Sequence, residues 1–315
     1  MKLFDTKIPI LPVNSKSEDY DSLFREFGNL DQSYVFNASC MERRQYIQDA
    51  YDKCKDFLDD DFNIQIKLPG KFISRLWELQ LCSIFLFFNL DLVKPPQNKL
   101  KISRPDFCIL DSKGNKIWVE AVCPDLGNVP QKEEIISGLL YTRTGNIKDD
   151  LEIVTPRITS SLQSKYSKRE SYNKSTDFNL GDKYVIAINT HHISHRETGE
   201  MPKELVLYGM GLQWIKQNGE SGRYFHWTVP KHKDDATSVD LEVALFFRKN
   251  FENLSAVITS NNWFQFGAGF EKLMSEDITT YFNHDAQNKI DPREIDFGKK
   301  KTMFCEGETC ELKEI

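Results

Sequence analysis

No stretch of this 315-residue chain is apolar for long enough to cross a bilayer; the longest, LQLCSIFLFFNL at 79–90, is short and flanked by polar residues. The N-terminus offers no unbroken apolar block either, because Asp5, Pro9 and Pro12 interrupt it. Both absences lead us to expect a cytoplasmic protein that does not enter membranes. No cysteine pair has C-x-x-C spacing, which argues against a structural zinc site. The seven cysteines, at 40, 54, 82, 108, 123, 305 and 310, are odd in number and scattered. Free thiols are therefore expected, including at Cys305 and Cys310, although those two are close enough in sequence to bridge. No G-x-S-x-G elbow accompanies the serines. The GAG at 267–269 lacks the strand and downstream acid of a dinucleotide fingerprint. Internal repeats and low-complexity tracts are also missing.

What remains is a chain able to fold. Hydrophobic residues make up 40% and aromatics 12%, enough for one large or two modest domains. The net charge of −6 argues against a surface coated by nucleic acid. Local charge differs. Lys94, Lys99, Lys101 and Arg104 gather within 94–106, and Arg157, Lys165, Lys168, Arg169 and Lys174 face a single Glu170 within 156–174. Solvated helix and loop faces carry such runs too.

Apolar spacing and turn residues order the elements. A short helix is expected over 17–30, and a longer one over 39–62 that opens with the capping-box pair Ser39 and Glu42. Apolar positions from Phe72 to Phe88 cover most sides of a third helix, which should be buried. DFCIL and KIWVEAV read as strands joined by the turn DSKGN. A short helix fits KEEIISGLL, and Pro156 suits the first turn of a helix running to about Tyr172. KYVIAINT reads as a buried strand. LQWIKQ, GRYFHWTV, VALFF and LSAVITS give a β-rich final third, and GFEKLMSEDITTYF a helix. Trp214, Tyr224, Phe225 and Trp227 are expected in the core rather than as base-stacking platforms. His191 and His195 have helical i, i+4 spacing but follow a strand, so strand-end loop chemistry is the better reading. These elements imply a helical extension over 1–69, an α/β core over 70–282 with a β-rich C-terminal elaboration, and a charged tail over 283–315, together one compact domain.

Three acids stand out against this apolar pattern: Glu78 on the buried helix, Asp106 opening the first hairpin strand, and Glu120 within the second. A turn near 113–114 pairs position 106 with 120 or 121, so two carboxylates share one end of the sheet. Burying such a group without compensation costs several kcal/mol, on the order of what forces protonation. A divalent cation relieves that cost, and hard oxygen donors suit Mg²⁺ or Mn²⁺. Separate partners offer a plainer account: Arg75 for Glu78, a turn after Pro105 for Asp106, and Lys116 for Glu120.

RLWELQL, RPDF and VEAV resemble the helix glutamate, the Pro-Asp strand start and the (D/E)-x-K strand of the PD-(D/E)xK nuclease superfamily. The resemblance spans about residues 70–190. It implies a restriction-endonuclease-like mixed sheet flanked by helices, with core order αβββαβ, one strand of which the sequence does not show. It further implies metal-dependent phosphodiester hydrolysis by a DNA endonuclease, with DNA ahead of RNA as partner. In that reading Asp106, Glu120 and Glu78 hold the metal. Arg104, Arg157, Lys168 and Arg169 meet backbone phosphates. The chain departs from the motif at Val122, where the family has lysine; the missing ammonium is assigned to Lys165, with Gln80 and Lys116 behind it. The alternative is a nuclease-like scaffold without catalysis that binds nucleic acid or protein.

Overall fold

The computed structural model describes residue 3 and residues 41–68, 70–94, 104–124, 147–174, 177–191, 193, 199–215, 221–232, 238–261, 269–306 and 309–315. The helices expected at 17–30 and at KEEIISGLL, together with Lys99, Lys101 and His195, lie outside the described residues. In chain order the helices are α1 (Met41–Cys54), α2 (Phe62–Gln65), α3 (Phe72–Phe87), α4 (Ile147–Lys168), α5 (Met201–Tyr208) and α6 (Phe270–Glu276). The strands are β1 (Asp91–Leu92), β2 (Phe107–Leu110), β3 (Lys116–Val122), β4 (Lys183–Asn189), β5 (Met210–Ile215) and β6 (Ser221–Phe225). They continue as β7 (Thr228–His232), β8 (Ser238–Glu242), β9 (Ala256–Ser260), β10 (Ile278–Phe282), β11 (Lys299–Glu306) and β12 (Thr309–Glu314). The fold is α/β with a main mixed sheet of eight strands. The chain divides into two compact units, Met1–Ala121 with Trp263–Glu276, and Val122–Asn262 with Asp277–Ile315. Among the described residues, no helix is long and apolar enough to cross a membrane.

The first unit is built on α3. Leu76, Trp77, Leu79, Leu81, Ile84 and Phe85 are all buried, because the helix packs on α1, α2, α6 and β1 at once. Each such side chain contributes roughly 2 kcal/mol of apolar burial. Phe85 meets Phe107 of β2 edge-on, with ring centroids 5.6 Å apart. Strands β1, β2 and β3 run in that order, each antiparallel to its neighbour. The β2–β3 turn is tied by Asp111, whose Oδ1 accepts from the amides of Lys113 and Asn115 at 2.8 Å each. Gly114 supplies the positive φ, +80°, that the turn requires.

In the second unit β4 and β9 are parallel, β9 and β10 antiparallel, β10 and β11 parallel, and β11 and β12 antiparallel. Two-stranded hairpins, β5–β6 and β7–β8, stand apart from that sheet. Here several expectations give way. Helix α4 starts at Ile147 and passes through Pro156, although an interior proline removes one helix hydrogen bond. Val154, Ile158 and Leu162 are buried on either side of it, so packing outweighs the local cost. VALFF is a 3-10 turn at Leu245–Phe247, entered through Ala244 at φ 57°, and not a strand. The helix expected over 269–282 ends at Glu276 and gives way to the buried strand β10.

Residues 283–315 are not a tail: they carry β11, β12 and a 3-10 turn at Pro292–Glu294 closed by an Asp291–Glu294 capping box. Their charge hid them, since exposed, charged strands are how sheet edges discourage pairing with other chains. Cys305 and Cys310 face each other across β11–β12 and form a disulfide, with Cα atoms 4.1 Å apart. The free-thiol expectation therefore fails for this pair. It holds for Cys54, Cys82, Cys108 and Cys123. The aromatic expectation fails as well: Tyr224, Phe225 and Trp227 are 57%, 49% and 50% exposed. GRYFHWTV breaks into two hairpin strands with an open side, and Arg248 stacks on Trp227 at 5.0 Å. The side chain of Trp214 lies outside what is described.

Candidate functional site

The opposed strands β2 and β3 set the first element of the site. Phe107 pairs with Val119, and the same register carried one residue further puts Asp106 opposite Glu120. Residues opposite one another across an antiparallel pair share a face. The Asp106 carboxylate closes the end of this ladder, Oδ2 accepting from the Ala121 amide at 2.7 Å. Glu120 is 3% exposed, because β3 is covered on both faces from Ile117 to Ala121.

The second element is Arg75 on α3. Its Nη1 donates to Glu78 Oε2 at 2.5 Å and lies 3.6 Å from Asp59 Oδ2. Arg104 reaches the other oxygen of Asp59 at 3.4 Å. Burial works against the charged form of Arg75. Glu78, and then Asp106 and Asp59, more than reverse that effect and raise its pKa above the ordinary value. Glu78 and Asp59 thus both meet the Arg75 guanidinium, and Asp59 meets Arg104 as well. The Arg75 stem is held by α3, and its head lies 5.9 Å from the Phe62 ring centroid.

Asp106 stands opposite Glu120 by register, while Glu78 is paired with Arg75. Strand alternation explains the split. Phe107 and Val119 face α3, where Phe85 sits, so Glu120, one residue on, belongs to the face of Trp118. Among the described residues, no group of three or more His, Cys, Asp or Glu side chains is placed to hold a metal ion. The expectation of a cation gripped by Glu78, Asp106 and Glu120 together is revised accordingly. The donor chemistry still fits Mg²⁺, which takes one or two protein carboxylates and completes its shell with water and phosphate oxygens.

The remaining predicted residues divide between the units. Arg104 belongs to the first unit and is held by Asp59. Arg157, Lys165, Lys168 and Arg169 belong to the second. The Lys165 carbonyl accepts from the Tyr184 hydroxyl at 3.3 Å, and Lys168 is exposed. Arg169 is a correction: it is 5% exposed, donates to the Leu180 carbonyl and stacks on Phe178 at 5.8 Å. Burial lowers its pKa, which is the signature of a guanidinium spent on the fold rather than offered to phosphate. Val122 is half-buried at the position where the motif has lysine. His191 is buried, its Nδ1 3.3 Å from the Asn261 carbonyl oxygen.

Sequence reasoning missed a polar network in the second unit. Lys203, 1% exposed, donates to Glu200 Oε1 at 3.0 Å. The Tyr281 hydroxyl donates to Glu200 Oε2, and Asn261 Nδ2 donates to Glu200 Oε1 at 3.4 Å. Glu204 is met by Arg223 and by Lys301, the latter at 2.8 Å. Burial pushes the Lys203 pKa down and the Tyr281 pKa well up. Glu200 and Lys203 have helical i, i+3 spacing, but the partners that complete the network lie up to 97 residues away in sequence.

Comparison with protein-family models, with curated proteins and with solved structures finds no match.

Proposed function

We propose that the first unit carries a centre for metal-dependent phosphodiester hydrolysis of PD-(D/E)xK type, with DNA as substrate. The observation that carries it is the Asp106–Ala121 hydrogen bond, which fixes one carboxylate opposite a second, buried one at the open end of β2 and β3. Chain order supports it as well: among the described residues the α-helices and strands α3, β1, β2, β3, α4 and β4 run in the order αβββαβ, and the two-residue β1 stands for the strand that the sequence did not show.

Asp106 and Glu120 would hold Mg²⁺ or Mn²⁺, while Glu78 is taken by Arg75. When bound, the ion supplies an acidified water and neutralises charge on the phosphate. The chain's own part is placement. The Ala121 amide and the strand register aim the Asp106 carboxylate. The covered strand β3 keeps Glu120 out of bulk water, which strengthens its interaction with any cation. Arg75 and Arg104 bring positive charge to a site meant for a polyanion.

A second reading, a nuclease-like scaffold that binds nucleic acid or protein without cleaving it, is favoured by Val122 and by the Arg75 grip on Glu78. The two readings part in one experiment. Incubated with supercoiled plasmid and linear duplex in Mg²⁺ or Mn²⁺, the protein should nick or cut DNA, and Glu120→Ala should lose that activity while staying folded. Salt-sensitive binding with no cleavage would select the scaffold.

A further inference from the structure

We propose that the Cys305–Cys310 disulfide is a reversible redox site, a latch on the far end of the β11–β12 hairpin that a thiol reductant opens. It is independent of the hydrolysis reading and involves none of its residues.

Register shows why that end needs a latch. Strand β10 accompanies β11 only along Lys299–Thr302, where the two run parallel. From Met303 to Glu306, β12 is the only strand beside β11 among the described residues. A two-stranded ribbon with nothing further to pair with is marginally stable in water. Burial adds little. Met303 is buried at the root of the ribbon, but from Phe304 to Glu306 and from Cys310 to Ile315 no side chain is buried, and Leu312 alone is half-buried. Phe304 is 47% exposed, with the Lys313 ammonium 5.5 Å from its ring centroid.

Hydrogen bonding is also interrupted at the disulfide. The Ile315 amide donates to the Lys300 carbonyl at 2.9 Å, which makes 300 and 315 a hydrogen-bonded pair. Alternation along an antiparallel ladder then makes 302–313, 304–311 and 306–309 the next such pairs. Cys305 and Cys310 are left as a pair with no ladder bond between them. The covalent bond therefore sits where the ladder supplies nothing, between its last two rungs.

The same features suit the bond to exchange. Both residues are exposed, and they are five positions apart, so the bond closes one short loop and ties no distant elements together. Exposed disulfides are the readily reduced ones. Cys54, Cys82 and Cys108 are buried, which keeps them out of the exchange. In the reaction an external thiolate, of the glutathione or dithiol class, attacks one sulfur. The S–S bond breaks, and the other sulfur leaves as a thiolate that takes up a proton. A second thiol of the reductant attacks the mixed disulfide and departs joined to the first. Two electrons and two protons thus pass to the pair, and a disulfide oxidant removes them by the reverse route. Once reduced, the ribbon keeps only its ladder and frays from Glu306 and Thr309 back toward Met303.

The test follows amide hydrogen exchange by mass spectrometry on the full chain: oxidised, treated with excess glutathione, and as the Cys305→Ser/Cys310→Ser double variant. Alkylation of the native reduced protein should newly label Cys305 and Cys310. Exchange over 303–315 should then quicken by about tenfold or more, the low end of what a disulfide contributes. Exchange over β4, β9 and β10 should stay as it was, and glutathione disulfide should restore the slow rate. The double variant should match reduced wild type in either buffer. A pair that stays oxidised in excess glutathione under native conditions overturns the proposal. So does reduction that leaves 303–315 unchanged, which would make the bond idle. So does reduction that quickens β4 and β9 as well, which would make it a staple of the whole unit. Should the double variant fail to fold, the reduced wild-type protein gives the same decision.

Discussion

Each unit pairs carboxylates with cations, and the two clusters differ in depth and reach. In the second unit, Glu200 and Glu204 are met by Lys203, Lys301 and Arg223, with the Tyr281 hydroxyl and the Asn261 amide also reaching Glu200. In the first, Arg75 meets Glu78 and Asp59, and Arg104 meets Asp59 as well. Lys203 is 1% exposed, whereas Arg75 is 17% and Asp59 41% exposed. The lesson concerns what a buried acid is for. A carboxylate with several dedicated donors, from α5, β6, β10, β11 and Asn261 just past β9, ties those elements together.

This contrast can be broken at several points. The largest effect is expected at Lys203. Replacing it with methionine leaves Glu200 charged and deprived of its buried cation, and should cost about 3–5 kcal/mol in denaturant unfolding. A loss under about 1 kcal/mol would mean that the second network is not structural. Arg75→Met should cost less, about 2 kcal/mol, since the Arg75 side chain is 17% exposed against 1% for Lys203. Lys301→Met should cost only about 1 kcal/mol, because Arg223 still serves Glu204.

The smallest effect is in the acid limb of the stability curve. Burial alone would raise the Glu200 pKa, but Lys203, the Tyr281 hydroxyl and Lys301 outweigh it and hold the carboxyl below its ordinary value of 4.5. A depressed carboxyl stabilises the fold fully above the unfolded value and loses that contribution as pH falls through the folded one. The stability gap between wild type and Glu200→Gln should therefore be constant above about pH 5 and shrink below it. A gap that widens toward acid would reverse the assignment.

Parts of this were legible in the sequence for physical reasons. The β2–β3 hairpin was, because Asp111 and Gly114 fix the turn and the turn fixes the register that puts Asp106 opposite Glu120. The buried helix α3 was, because its apolar positions cover most of its sides; so was the one-turn pairing of Arg75 with Glu78, a contact that helical spacing dictates. The misses follow a rule as well. Pro156 reads as a helix start only if local cost decides, and here packing around Val154 and Ile158 decides. Strands β11 and β12 read as a tail because both are charged, β12 at the sheet edge and β11 beside it. The Lys203 network could not be seen beyond its i, i+3 pair with Glu200, since the other members meet only once β10 and β11 are assembled. Glu78 and Glu120 fell into the same part of the chain, yet whether two side chains face one point depends on strand alternation against helix phase, and sequence patterns leave that relation open.

The most direct test of the central claim is a crystal of the full chain soaked in Mn²⁺ and measured at a wavelength where manganese scatters anomalously. The account predicts one peak within coordinating distance of both the Asp106 and Glu120 carboxylates. A map with no peak there would contradict it.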